Sequence, residues 1–114
     1  MEVTLRLLTM FAQTVRQNGA MPLVVVCDYR PTFEAYAAGA PPMYQGLVDQ
    51  LRQRDIPVLD LTPEFVTANQ SSPDFTGYFA PGGHYNEAGN RVVSRAVLRY
   101  LCQEKMFTEC PSPL

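Results

Sequence analysis

The sequence predicts an α/β fold with parallel strands, in the order helix, strand, helix, strand, loop, helix. Two short apolar runs, Leu23 to Cys27 and Ile56 to Leu61, lack polar alternation and so suit strands covered on both faces, as in a parallel sheet. A helical pattern lies between them, and a crossover of that length implies parallel pairing with a right-handed connection. Two parallel strands alone leave apolar faces and a hydrophobic edge open. The 114 residues therefore read as one domain, 1–114, forming part of a larger three-layer α/β/α sandwich.

Each element has its own warrant. Leu5, Leu8, Ala12 and Val15 recur at the spacing of one helix face, with Phe11 beside them, and Asn18-Gly19 is a natural stop. The stretch from Pro22 to Asp28 reads as the first strand. Tyr29 to Pro42, rich in Ala, Gly and Pro, reads as a loop. Tyr44, Leu47, Val48 and Leu51 mark a second amphipathic helix ending near Arg54. The second strand closes on Asp60, and Thr62-Pro63-Glu64-Phe65 carries the cap and proline signature of a short helical turn.

Asn69 to Gly83 is a long polar stretch, of a length that compact domains usually reserve for a site. Asn86 then caps the last helix, with Glu87 favourably placed in its first turn. Val92, Val93, Ala96, Val97, Tyr100 and Leu101 form its buried stripe, while Arg91, Arg95 and Arg99 occupy other faces. Residues 102–114 read as an irregular tail.

Composition narrows the function. Hydrophobic residues make up 46% and charged residues 18%, which is globular rather than disordered. The net charge is −2 with Lys and Arg scattered singly, so no basic stripe invites nucleic acid. No apolar run approaches the length of a membrane span, and no signal-peptide pattern is visible. One His, three separated Cys and no paired carboxylates fall short of a metal-ligand set, and no cofactor motif is present. Cys27 reads as a small buried core residue. Cys102 and Cys110 are close enough to pair in an oxidising compartment, although two reduced thiols near a frayed tail is the simpler reading.

The stretch that carries chemistry runs from Tyr78 to Leu98. Its single histidine, His84, stands on a Gly-flanked loop just before a capped helix, at the end of an α/β unit, where sites are built. An imidazole can act there as a general base near neutral pH. His84-Tyr85-Asn86-Glu87-Ala88-Gly89, followed by an aliphatic helix, resembles the last His-x-Asn-x-x-Gly block of SGNH (GDSL-type) ester hydrolases. The helix, Asn-Gly and Pro-Leu-Val-Val-Val order ahead of it is also similar to the later half of that family. The resemblance extends to about Leu101. It implies a flavodoxin-like sandwich, a small ester or acylated substrate, and a general-base role for His84.

Two departures qualify it. The Gly-Asp-Ser block that supplies the nucleophile is absent, since Ser71, Ser72, Ser94 and Ser112 all stand in other contexts. The family's acid, three residues before the histidine, is replaced by Pro81. Asp74 is the nearest upstream candidate for that role, and Asp60 is another. Phe79 and Tyr85 are candidates to line an acyl or alcohol pocket, although aromatics on such loops often only pack the loop down. Asp28 and Tyr29 end the first strand at the same edge. The expectation is the C-terminal portion of a serine ester hydrolase, inactive by itself. The alternative is a non-catalytic α/β module that forms homo-oligomers, or binds a partner chain, through its open sheet edge.

Overall fold

Helix α1, Glu2–Gln17, turns Leu5, Leu8 and Ala12 towards the interior. It ends where predicted. Gly19 adopts φ +75°, and the Gly19 and Ala20 amides bond back to Arg16 and Val15, closing the helix with its last carbonyls satisfied. The computed structural model describes residues 1–70 and 72–111, so Ser71 and Ser112 lie outside the described residues.

Strands β1 (Val24–Val26) and β2 (Val58–Asp60) pair in parallel, Val24 with Val58, Val25 with Leu59 and Val26 with Asp60. The parallel pairing predicted from the crossover is borne out, but both strands are shorter than their apolar runs. Helices pack against both faces. Val24, Val26 and Val58 meet Ala12, Val48 and Leu51 of α1 and of α3, Gln45–Gln53. Leu59 faces the other way, into a cluster with Phe33, Leu61, Phe65, Phe75 and Ala96. Period-two alternation along three-residue strands thus divides the core between two helical layers.

Four expectations need correction. Residues 29–42 are not a plain loop, because Arg30–Ala37 form helix α2, with Pro31 near its start and Phe33 fully buried. A single buried side chain gives no repeating stripe, and Tyr29 caps the helix without a side-chain bond, so neither usual signal was present. The turn after β2 is a full helix, α4 (Leu61–Ala68), capped by Asp60 rather than Thr62. The strand runs straight into the helix, and Asp60 Oδ1 accepts from the Thr62 amide at 3.0 Å. Cys102 and Cys110 are disulfide-bonded, joining the end of α5 (Glu87–Gln103) to the tail. Cys27 is exposed rather than buried, because β1 stops at Val26 and leaves it on the rim.

Apolar surface remains uncovered beside β1. Val3, Leu7, Met10 and Phe11 form one stripe on α1 and are 71%, 60%, 61% and 44% exposed. Val25 is exposed as well, although its strand partner Leu59 is buried. Residues of a parallel strand bond alternately to its two sides. Val24 donates to Pro57 O at 2.9 Å, so the Val25 amide and carbonyl face the free edge of the sheet. The free edge of β1 and the apolar stripe on α1 are both left without a covering element among the described residues.

Candidate active site

The loop expected to carry the site is an ordered hairpin over the carboxyl end of the sheet. A 3₁₀ turn, Thr76–Tyr78, leads into it, and Phe79 and Tyr85 pair antiparallel across it. The Ala80 amide donates to His84 O at 2.8 Å, and the Gly83 amide donates to Ala80 O at 3.1 Å. Pro81 and Gly82 occupy the middle of that turn, with Gly82 at φ +92°. Proline followed by a residue of positive φ is the signature of a type II turn, so Pro-Gly here is dictated by backbone geometry.

Aromatic packing holds the hairpin down. Phe65 stacks on Phe33 with centroids 4.6 Å apart, and meets Tyr78 at 5.3 Å and Tyr85 at 5.0 Å. Phe79 lies 5.5 Å from Tyr85. The Tyr85 hydroxyl donates to Asp28 O at 2.6 Å, tying the hairpin to the end of β1, and burial pushes its pKa up to about 12. Tyr85 is thus a donor already spent on the scaffold.

Behind the hairpin, Asn86 Oδ1 caps α5 by accepting from the Gly89 amide at 3.0 Å, while its Nδ2 donates to Gly77 O at 2.8 Å. Gly89 is buried, and a Cβ there would stand 2.4 Å from Tyr78 O. Only glycine lets α5 approach the hairpin this closely. Gly89→Ala is therefore expected to destabilise the fold. Overpacking costs about 1–3 kcal/mol, against about 1 kcal/mol returned by better helix propensity. The backbone oxygen cannot rotate away, so the cost falls at the upper end of its range, leaving about 2 kcal/mol net, and the melting temperature should fall by about 5 °C or more. A variant melting at or above the parent would show that α5 does not clamp the hairpin.

On this scaffold the His84 side chain is exposed and makes no hydrogen bond to another described residue. It lines a hollow of about 210 Å³ with Cys27, Asp28, Gly83 and Tyr85. Across Gly83 lies a larger cleft of about 470 Å³, walled by Tyr29, Arg30 and Pro31 on one side and by Phe79 to Gly83 on the other. The imidazole thus stands in its own hollow, with the apolar cleft on the far side of Gly83.

The other candidates separate. Asp74 lines neither cavity. Its exposed carboxylate accepts from the Thr76 amide at 2.9 Å and from the Thr76 hydroxyl at 2.6 Å, and those bonds hold it below its ordinary pKa. That is a turn-forming role. Asp60 is buried and occupied, taking hydrogen bonds from Thr62 and from the Tyr44 hydroxyl at 2.9 Å. Burial keeps that phenol well above its ordinary pKa, so it remains a donor. Asp28, just beyond β1, lines the hollow with His84, and its Oδ1 accepts from the Tyr29 amide at 2.8 Å. Phe79 serves both as packing and as cleft wall.

Ser94, on α5, donates to Arg91 O, and among the described residues no serine lines either cavity near His84. Cys27 does line the hollow, but its exposed position still costs the thiolate enough hydration to raise the thiol above the ordinary range, which makes it a poor nucleophile. Among the described residues, no group of three or more His, Cys, Asp or Glu side chains converges on a metal position. No helix among them is long and apolar enough to cross a membrane. No protein-family model, curated protein or solved structure matches the chain.

Proposed function

We propose that this chain supplies the general-base part of an SGNH-type serine ester hydrolase of flavodoxin-like fold, and that the nucleophilic serine comes from outside the described residues. The observation that carries the reading is the exposed His84 imidazole on a Pro-Gly-Gly hairpin, in a hollow it shares with Cys27 and Asp28 at the carboxyl end of β1 and close to an apolar cleft. A strand added at the free edge of β1 would end at the same rim as Cys27 and Asp28. On this proposal the nucleophilic serine stands at the carboxyl end of that added strand.

In the reaction, His84 takes the serine proton as Oγ attacks the ester carbonyl, then returns it to the departing alkoxide. Water repeats the sequence on the acyl-enzyme and regenerates the serine. Asp28 is better placed than Asp74 to orient the imidazole, since it shares the hollow. The larger cleft would receive the acyl or alcohol group of a small, largely apolar ester, with Phe79 on its wall. The test begins with the reading frame around this chain. A Gly-Asp-Ser block encoded in frame, together with hydrolysis of a short activated ester by the longer product, supports the proposal. A frame without that block excludes it.

The exposed stripe on α1 favours a second reading, in which the chain is a non-catalytic module that covers its apolar surface by binding another copy. The two readings differ in what fills the space beside β1.

A further inference from the structure

Away from the hairpin, between α4 and α5, lies a cleft of about 360 Å³ that shares no lining residue with the two cavities around His84. Arg91, Arg95 and Arg99 stand at four-residue intervals on α5 and all line it. Val92, Ala68 and Tyr78 give it an apolar floor. A chain with net charge −2 and nine Lys and Arg in all thus places three guanidiniums along one short groove.

Their partners make the arrangement uneven. Arg99 is paired with Glu64 from α4, and Arg91 with Glu87 at 2.8 Å. Arg95, between them, has no carboxylate or hydrogen-bond partner among the described residues. Three guanidiniums against two carboxylates leave one positive charge, centred on Arg95. The two flanking arginines are already held by their glutamates, so less side-chain freedom is lost when a ligand engages them. A guanidinium presents a planar fork of donors that matches a phosphate or carboxylate.

We infer that this cleft is a binding site for a small amphiphilic anion, with a phosphate or carboxylate head on Arg95 and a short apolar tail on the Val92–Tyr78 floor. The head matches the one uncompensated charge, and the tail removes the floor from water. The site is independent of the proposed hydrolase reaction.

The test is calorimetric titration of the purified chain with octyl phosphate below its micelle concentration, with inorganic phosphate and octanol as separate arms. Octyl phosphate is expected to bind, with either half alone at least about tenfold weaker. Arg95→Gln should weaken octyl phosphate at least about tenfold, since a charge-assisted contact is lost. Arg95→Lys, which keeps the charge but not the fork, should fall between them. Arg95 is exposed, so both variants should melt like the parent. Undetectable binding of octyl phosphate overturns the inference, as does equal affinity in Arg95→Gln. Inorganic phosphate binding as tightly as octyl phosphate also overturns it, because the apolar floor would then be idle.

Discussion

His84→Ala is expected to lower kcat at least about 1,000-fold in the product that carries this chain together with a Gly-Asp-Ser segment, while leaving the melting temperature unchanged. The size follows from the role, because without a base the serine hydroxyl is a weak nucleophile at neutral pH. The unchanged stability follows from the site. The imidazole is exposed and bonded to no described residue, and the hairpin is held by main-chain bonds through Ala80 and by Tyr85 instead. Asp28→Asn should cost more activity than Asp74→Asn, since Asp28 lines the hollow with His84 and Asp74 lines neither cavity. Kinetics and melting measured on the same preparations separate the outcomes. Near-normal turnover in His84→Ala removes the catalytic assignment, and unfolding would make His84 a structural residue.

Concentration-dependent association of the purified chain is the second large effect. Val3, Leu7, Met10 and Phe11 expose an apolar face of α1. Burying a Leu or Met side chain contributes about 1.5–3 kcal/mol, so two of them alone change a dissociation constant by at least about a hundredfold. The parent should therefore sediment as more than a monomer at high concentration, and its melting temperature should rise with concentration. Leu7→Gln combined with Met10→Gln should restore monomer behaviour, because both residues point away from the core that Leu5, Leu8 and Ala12 enter. A sharply melting parent monomer, indifferent to concentration, would show that this surface needs no cover.

What the sequence made legible was whatever a short stretch specifies by itself. Asn18-Gly19 ends α1, Asn86 caps α5, and Pro81-Gly82 makes a turn, because each depends on backbone preferences of a few adjacent residues. The parallel pairing was legible from crossover length alone. Helix α2 was not, because Phe33 is its one buried residue and earns its place only through contact with Phe65 and Phe75. Cys27 was misread for a related reason. A continuous apolar run says that covering layers are needed, but not where the strand stops, and here the rim falls one residue earlier.

The site shows the same division. The hairpin and its histidine were marked by Gly, Pro and the helix cap, whereas the neighbours of His84 depend on where β1 ends. Asp28 is 56 positions away in the chain and reaches the hollow only because the Tyr85 hydroxyl ties the hairpin to its carbonyl. Asp74, much closer in sequence, turns out to shape its own turn. The disulfide of Cys102 and Cys110 likewise required the path of the tail after α5, which the spacing of two thiols does not give.

The central claim, that His84 serves a serine this chain does not hold beside it, is tested most directly by phosphonylation. The purified chain and, where the reading frame encodes one, a longer product bearing a Gly-Asp-Ser block would each be treated with a fluorophosphonate and mapped by mass spectrometry. The account predicts no serine adduct on the isolated chain, and one adduct on the Gly-Asp-Ser serine of the longer product that His84→Ala abolishes. An adduct at Ser71, Ser72, Ser94 or Ser112 of the isolated chain, lost in His84→Ala, would contradict it.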